Sequence, residues 1–184
     1  MANYLFRGRA SCLGSMSRVM LGLFTLWLVV EGTVDAIDLR SWDRKINDDT
    51  RFRVLSEFDN DAVLDRETQL VWHRTPDATK RVWGAALSAC YGYRVGGRGG
   101  WRLPTMEELT SLIDPTRTHP PLPLAHPFNL SNVTGDVWSA TTTPHVDPPH
   151  AFTQDVIGTG FLGGAQKKFA MNTWCVRGGQ GMHG

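Results

Sequence analysis

The sequence predicts an α+β domain with two helices near the middle of the chain and strands at both ends. Three observations support this prediction. Short strand-like segments lie in both halves of the chain, and two segments of helical periodicity lie between them. The composition, with 41% hydrophobic and 20% charged residues among 184, is that of a globular protein with a core of its own. The terminal strands are expected to pair.

Residues 1–36 differ in character from the rest of the chain. Their basic residues are arginines, and an apolar run covers residues 19–30. As a helix this run would span roughly 18 Å, short of the ~30 Å hydrocarbon core of a bilayer. Val34 and Ala36 are small residues at the positions that signal peptidase reads. The pattern predicts a secretory signal peptide over residues 1–36, with an uncleaved anchor helix as the alternative. Either way, the rest of the chain is expected to be secreted, periplasmic or on the cell surface.

Removal of the signal peptide would change the charge and the cysteine content. Basic and acidic residues are equal in number from Ile37 onward, so no global basic field favours nucleic-acid binding. Cys12 would be lost, which leaves Cys90 and Cys175. Two cysteines in an exported chain are expected to be paired. In the chain-entropy model such a bond would contribute about 4–5 kcal/mol.

The exported chain is expected to contain one domain. Residues 37–51 are polar and predict an exposed lead-in, residues 52–179 form the domain, and residues 180–184 form a flexible tail. The first strands are predicted from alternating or β-branched residues, with a polar turn at residues 66–69. These strands cover residues 52–55, 62–65 and 70–73.

A helical period follows from Lys80 to Tyr91, with Thr79 as the expected N-cap and Gly92 as the C-terminal stop. Its apolar residues form one helical stripe, which consists of Val82, Trp83, Ala86, Leu87 and Cys90. Cys90 is therefore expected to face the core.

The second helix has the clearest start signal in the chain. After the glycine-rich turn at residues 96–100, Thr105 and Glu108 form a T-x-x-E capping box, and Pro104 and Leu109 occupy the positions of a hydrophobic staple. The apolar face of this helix is predicted to consist of Met106, Leu109, Leu112 and Ile113, and the helix is expected to end at Asp114-Pro115.

A long loop and several strands complete the domain. Residues 114–135 contain five prolines and two histidines without periodicity, and long loops of this kind are often functional. Three strands are predicted after the loop, at Val137–Thr141, Ala151–Ile157 and Thr173–Arg177. Residues 158–164 are predicted as a glycine-rich turn, and residues 166–171 are a further strand candidate.

Four motifs in this chain resemble one known domain type. They are Ala62-Val63-Leu64-Asp65-Arg66-Glu67-Thr68 with Leu70-Val71-Trp72, Gly100-Trp101-Arg102-Leu103-Pro104-Thr105 with Glu108-Leu109, Trp138-Ser139-Ala140-Thr141, and Trp174-Cys175-Val176-Arg177-Gly178-Gly179. By the order and spacing of these motifs, residues 52–179 resemble the Lcl C-terminal domain family, best known from the collagen-like adhesin of Legionella. That family is similar in pattern to the C-type-lectin-like fold, whose other branch includes formylglycine-generating enzymes.

The resemblance implies a single compact C-type-lectin-like domain with its N- and C-terminal strands adjacent. It also implies a disulfide between the first helix and the last strand, an arrangement that Cys90 and Cys175 fit. The family motif residues are expected to be structural; they are Trp101, Arg102, Leu103, Pro104, Thr105, Glu108, Trp174, Arg177, Gly178 and Gly179. The tryptophans Trp72, Trp83, Trp101, Trp138 and Trp174 are expected in the core. Arg102 and Arg177 are expected to bond loop carbonyls or the carboxylates of Glu107 and Glu108.

No residue pattern predicts a metal or a cofactor. The calcium-site tripeptides of sugar-binding lectins are absent, and Asp59-Asn60-Asp61 lacks the remainder of an EF-hand loop. The loop histidines lack zinc-site spacing. Formylglycine-generating chemistry needs reactive thiols, whereas both remaining cysteines are expected in a disulfide. A G-x-S-x-G elbow and a P-loop are also absent from the sequence.

The favoured function is therefore a non-enzymatic extracytoplasmic binding or adhesion module. It would recognise a glycan, a glycosaminoglycan or a protein through loops at residues 114–135, 142–150 and 158–164. The candidate binding residues are His119, His126, Asn129, His145 and His150. The alternatives are a structural or assembly component of an envelope or appendage and, third, a formylglycine-generating-type oxidase. A nucleic-acid partner and a membrane span after cleavage are not expected.

Overall fold

The computed structural model describes residue 46, residues 49–144 and residues 146–178. The predicted signal peptide, the predicted tail, Gly179 and His145 lie outside the described residues. The described part contains nine strands, two α-helices and a short 3-10 turn at Ser56–Phe58. In chain order the elements are β1 (Phe52–Val54), β2 (Ala62–Asp65), β3 (Val71–His73), β4 (Asp77–Arg81), α1 (Trp83–Gly92), α2 (Met106–Ser111), β5 (Val137–Thr142), β6 (His150–Gln154), β7 (Leu162–Gln166), β8 (Met171–Thr173) and β9 (Val176–Arg177). The predicted α+β class is confirmed.

The first sheet has the strand order β1-β2-β3-β9, and every neighbouring pair in it is antiparallel. The three strands predicted near the start of the domain are confirmed. The expected pairing of the terminal strands is wrong, because the β2–β3 hairpin lies between them. Strands β1 and β9 are thus the two outer strands of one sheet.

The second sheet has the strand order β4-β8-β5-β6-β7, with β5 and β8 parallel and the other pairs antiparallel. The glycine-rich segment predicted as a turn over residues 158–164 is a turn only in its first part, since β7 begins at Leu162. The predicted strand over residues 166–171 is mostly the turn between β7 and β8. Strand β6 ends at Gln154, three residues earlier than predicted. Residues 162–166 pair with β6 despite their glycines, because tertiary context overrides local strand propensity.

The first helix begins later than its periodicity predicts. Residues 77–81 form strand β4, which pairs with β8, and the helix begins at Trp83 with Val82 as its N-cap. Thr79 is not a cap; its backbone N–H donates to the Asp77 carboxylate at 2.8 Å. The helix extends to Gly92, as predicted. On its stripe Cys90 is fully buried with Ala86, whereas Val82 is 43% exposed.

The second helix confirms its start signal. The Thr105 hydroxyl accepts the Glu108 N–H at 3.2 Å, and the Glu108 carboxylate accepts the Thr105 N–H at 2.8 Å. Both partners of this capping box therefore satisfy N–H groups that the first turn would otherwise leave free. Leu109 and Leu112 are fully buried, as the apolar face predicts. The helix ends at Ser111, slightly before the predicted Asp114-Pro115.

Four tryptophans are fully buried between the two sheets and the helices; they are Trp72, Trp101, Trp138 and Trp174. The rings of Trp72 and Trp174 lie 5.3 Å apart in a tilted arrangement, and Phe128 from the long loop packs edge-on against Trp174 at 5.0 Å. The prediction that these four belong to the core is confirmed. Trp83 is only partly buried, because it lies at the open start of helix α1.

The predicted disulfide joins Cys90 of helix α1 to Cys175, with their Cα atoms 5.5 Å apart. Cys175 was expected within a single closing strand, but the chain crosses from one sheet to the other there. Residues 171–173 belong to the second sheet and residues 176–177 to the first. The disulfide therefore holds helix α1 to the crossing point between the two sheets.

The prediction of an exposed lead-in over residues 37–51 is wrong at Arg51, which is buried. Asp49 and Thr50 are exposed, but Arg51 is only 2% exposed and pairs with the fully buried Asp65 at 2.9 Å. Its guanidinium also donates to the Ser111 carbonyl at 2.8 Å and lies 3.5 Å from the Glu67 carboxylate. A buried arginine is stable here because its charge and its N–H groups all have partners. The start of the domain is thereby held to the β2–β3 turn and the end of helix α2.

Candidate functional site

Two of the predicted binding loops meet at one end of the second sheet. The His119 N–H donates to the Gly158 carbonyl at 2.7 Å. Gly160, at φ +78°, packs so closely on the long loop that a Cβ would lie 2.9 Å from Ile113 Cγ2 and 3.0 Å from Pro121 Cβ. We call residues 114–136 and 155–161 together the loop surface. It forms one continuous region because backbone bonds and close packing join its two segments.

The third predicted loop lies at the opposite end of the sheet. Residues 143–149 precede strand β6, whereas the turn at residues 155–161 follows it. The strand between them separates the two regions by roughly 14 Å, at about 3.4 Å per residue. His150 stands at that far end, where its Nδ1 lies 2.6 Å from the Pro148 carbonyl. The sequence predicted one surface, and the structure divides it into two.

Asp155 organises the turn of the loop surface. Its Oδ1 accepts the N–H groups of Ile157 at 3.1 Å and Gly158 at 2.8 Å, and its Oδ2 accepts the N–H of Thr159 at 2.7 Å. Partial burial alone would raise the pKa of this carboxyl group, but the three backbone bonds outweigh it and lower the pKa. Asp155 was not among the predicted binding residues. An aspartate at a strand end followed closely by glycines was the available signal.

The long loop is anchored to the core despite its length. Leu122, Phe128 and Val133 are buried side chains within it. Its end is fixed by the fully buried Asn172, whose Oδ1 accepts the Thr134 N–H at 3.3 Å. Because these anchors recur along the segment, the loop is a structured part of the domain.

The predicted binding residues differ in their accessibility. His119 and Asn129 are exposed on the loop surface, and the Asn129 Oδ1 accepts the Ser131 N–H at 3.2 Å. His126 is half-buried and stacks on Phe128 with 5.9 Å between ring centroids. Burial and, secondarily, the positive charge of Arg117 lower the pKa of His126. His126 therefore faces the protein more than the solvent.

Two apolar side chains on the loop surface were not predicted as binding residues. Leu124 is 73% exposed and Phe161 is 70% exposed. Burial of either side chain against a partner would remove apolar surface from water. The sequence signal was an apolar residue within an otherwise proline- or glycine-rich segment.

Two arginines of the family motifs, Arg102 and Arg177, differ in their contacts. Arg102 donates to both carboxylate oxygens of Glu108, at 2.7 and 2.6 Å, and to the Gly178 carbonyl at 2.7 Å. The bidentate pair holds Arg102 to the start of helix α2, and the bond to Gly178 holds it to the residue after strand β9. The predicted contacts of Arg102 with Glu108 and with a carbonyl are thus present. Arg177 differs, since its guanidinium carbon lies 5.6 Å from the centroid of the Phe58 ring.

A polar cluster near helix α1 was not predicted. Asp77 Oδ2 accepts bonds from the Tyr93 hydroxyl at 2.7 Å and from Arg81 at 2.6 Å. Partial burial opposes ionisation of Asp77, but its hydrogen bonds and the charge of Arg81 prevail and hold its pKa at about 2. Burial, followed by the bond to Asp77, raises the pKa of the Tyr93 hydroxyl. His73 packs on Tyr93, and burial lowers its pKa. The cluster ties strand β4 to helix α1.

The acidic segment 59–61 lies in the turn before β2, where Asp59 and Asn60 have positive φ. Among the described residues, no three His, Cys, Asp or Glu side chains are grouped so that they could hold a metal ion. Within the same residues, neither helix has the length and apolar character needed to cross a membrane.

Comparison with known proteins identifies the family. No curated protein matches the chain. Residues 61–177, more than half of the chain, match the family model of the Lcl C-terminal domain. The matched region begins just before strand β2 and ends with strand β9, so it includes both helices, the disulfide and the loop surface. The chain belongs to the Lcl C-terminal domain family.

Proposed function

We propose that this chain is a non-enzymatic, extracytoplasmic adhesion module that binds a glycan, a glycosaminoglycan or a protein through the loop surface. The observation that carries the proposal is the junction of the two loops at His119 and Gly158. This backbone bond holds the two loops, and the exposed side chains on them, in place before a ligand binds. Such preorganisation lowers the entropy that binding must overcome.

Three further features support the proposal. The family is associated with an adhesin. The disulfide is of the kind that persists in oxidising compartments outside the cytoplasm. Both cysteines are committed to that bond, which leaves no thiol in the described residues for formylglycine-generating chemistry.

The domain is also proposed to have a C-type-lectin-like fold. Its support is the combination of two helices with two sheets and a disulfide from the first helix to the segment before the last strand. In such folds the ligand surface is formed by long loops on a fixed scaffold, and residues 114–136 fit that description.

The test compares the two ends of the second sheet. Wild-type protein is applied to immobilised glycans and glycosaminoglycans, and Leu124→Ser and Val146→Ser are compared with it. Leu124 lies on the loop surface, whereas Val146, 44% exposed, lies at the opposite end. We expect Leu124→Ser to weaken binding about tenfold, as the loss of one buried apolar contact does. Val146→Ser should leave binding unchanged.

The opposite pattern, with Val146→Ser weakened and Leu124→Ser unaffected, would move the binding surface to residues 143–149. Arrays and pull-downs that find neither a saccharide nor a protein ligand would contradict the adhesion proposal itself. An intact-mass measurement that finds free thiols would reopen the oxidase alternative.

A further inference from the structure

Among the described residues, strand β7 is paired on one side only, with β6, and so forms an edge of the second sheet. An exposed edge presents unpaired N–H and C=O groups, and natural proteins protect such edges with charge, proline, short length or a covering segment. Residues 162–166, Leu-Gly-Gly-Ala-Gln, include neither a charged residue nor a proline. At five residues the strand is as long as its neighbour β6, to which it is paired along its whole length.

The other sheet edges in the described part of the chain are protected. Strand β1 has only three residues, with the charged Arg53 at its centre. Strand β9 is covered by Arg102, which exchanges two backbone bonds of 2.9 Å with Val176. Strand β4 carries charged residues, and its Arg81 carbonyl already accepts the Trp138 indole N–H at 2.8 Å. Within the part of the chain that the structure describes, β7 is thus the edge that is left available for pairing.

The register shows which backbone groups of β7 point outward. In the β6–β7 ladder, the Asp155 N–H donates to the Phe161 carbonyl and the Lys167 N–H donates to the Pro149 carbonyl. Antiparallel residues alternate between bonding to the partner strand and pointing away from it. The even-numbered residues Leu162, Gly164 and Gln166 therefore direct their N–H and C=O groups away from β6.

We propose that two copies of this chain pair antiparallel along β7, about a two-fold axis at Gly164, and so join their second sheets into one. The two Gly164 residues then exchange N–H···O=C bonds with each other. The Gln166 N–H of each copy donates to the Leu162 carbonyl of the other. The Gln166 carbonyl already accepts the Phe169 N–H and is not needed for this pairing.

The side chains favour a second copy as the partner strand. About this axis, Phe161 of one copy lies opposite Lys167 of the other, at a position where cross-strand side chains are close. The Lys167 ammonium already lies 3.9 Å from the centroid of the Trp83 ring, so Phe161 would add a second aromatic face to the same cation. Gly163 lies opposite Ala165, and both are small enough for close approach. No two side chains of like charge lie opposite each other between the two β7 strands.

The test uses the self-pairing of Gly164. A Cβ at this position meets only the Ala151 carbonyl oxygen, at 3.7 Å, so Gly164→Lys and Gly164→Glu are compatible with the fold of one copy. On the two-fold axis each variant would oppose its own charge. Gly84→Lys is the control, because a Cβ at Gly84 has nothing within 4 Å and lies on helix α1.

Sedimentation velocity of the purified protein at micromolar concentration is expected to give a dimer for wild type and for Gly84→Lys. Each charged Gly164 variant alone should weaken dimerisation at least about tenfold, the equivalent of about 1.4 kcal/mol. An equimolar mixture of the two variants should restore the dimer as a heterodimer, since Lys then opposes Glu. Circular dichroism checks that each variant is folded.

A monomeric wild type at high micromolar concentration would overturn the proposal. So would a wild-type dimer that persists equally in both Gly164 variants, because its interface would then lie elsewhere. Dissociation of both variants without heterodimer formation on mixing would exclude the two-fold register at Gly164.

Discussion

The pair between Arg102 and Glu108 predicts a large loss of stability when it is broken. Both side chains are mostly buried, with 18% and 6% of their surfaces exposed, and the pair is bidentate. Arg102→Ala would leave a buried carboxylate without its cation, which typically costs 3–5 kcal/mol. Because Arg102 is partly exposed and water can reach the gap, we expect about 3 kcal/mol from this substitution. The expected loss of stability already includes the lost bond from Arg102 to the Gly178 carbonyl.

The matched control is the exposed pair of Arg53 and Glu57, whose atoms lie 3.6 Å apart with side chains 50% and 45% exposed. Arg53→Ala should cost less than about 1 kcal/mol. Urea denaturation under oxidising conditions measures both values from the shift of the midpoint at an unchanged slope. The double variant Arg102→Met with Glu108→Leu removes the buried charge but also the Glu108 half of the capping box, so it should recover only part of the loss. A difference of less than about 1 kcal/mol between Arg102→Ala and Arg53→Ala would show that burial does not strengthen the Arg102–Glu108 pair.

Three further predictions concern the disulfide, Asp77 and Gly160. Reduction of the Cys90–Cys175 bond, which spans 85 residues, should destabilise the protein by about 4–5 kcal/mol in the chain-entropy model. Thermal unfolding with and without reductant measures this loss. An unchanged unfolding midpoint would contradict the prediction. The pKa of Asp77 is lowered from 3.8 to about 2, so its ionised form stabilises the fold above pH 4 and this contribution is lost as the pH falls towards 2. After allowance for solvent screening the effect is about 1 kcal/mol, and Asp77→Asn should flatten the stability profile over this range. Gly160→Ala should cost about 1–3 kcal/mol more than Gly97→Ala, because both glycines have positive φ but only Gly160 abuts other residues. Equal losses in urea denaturation would show that the contact with Ile113 and Pro121 is unimportant.

Locally encoded elements could be predicted from the sequence. The capping box at Thr105 and Glu108 needs only residues three apart, and the structure contains it. The hairpin at residues 62–73 is local in the same sense. Cys90 was placed correctly because helical periodicity within one segment decides which face is buried.

Non-local pairing explains what the sequence could not predict. Lys80 and Arg81 were predicted to begin a helix with Thr79 as its N-cap, yet residues 77–81 pair with β8 nearly a hundred residues later in the chain. Residues 162–166 contain glycines that indicate a turn, yet they pair with β6. The division of the expected binding surface has the same cause. Whether two loops meet depends on strand order, and local patterns do not contain that order.

The route of mechanical load through this domain follows from where its outer strands begin and end. Phe52 pairs with Asp65 and Val71 pairs with Arg177, so the first residue of β1 and the last residue of β9 lie at the same end of the first sheet. Tension applied along the chain would peel these strands from that end. The first interactions to be loaded would be the Arg51–Asp65 pair and the bond from Arg102 to the Gly178 carbonyl.

Peeling of β9 would stop at Cys175, where the disulfide passes the tension directly to Cys90. Residues 91–174 would then be bypassed by the load-bearing path. The loop surface lies entirely within that bypassed segment. A pull on the two ends of the domain is therefore not carried along the backbone of the proposed binding surface.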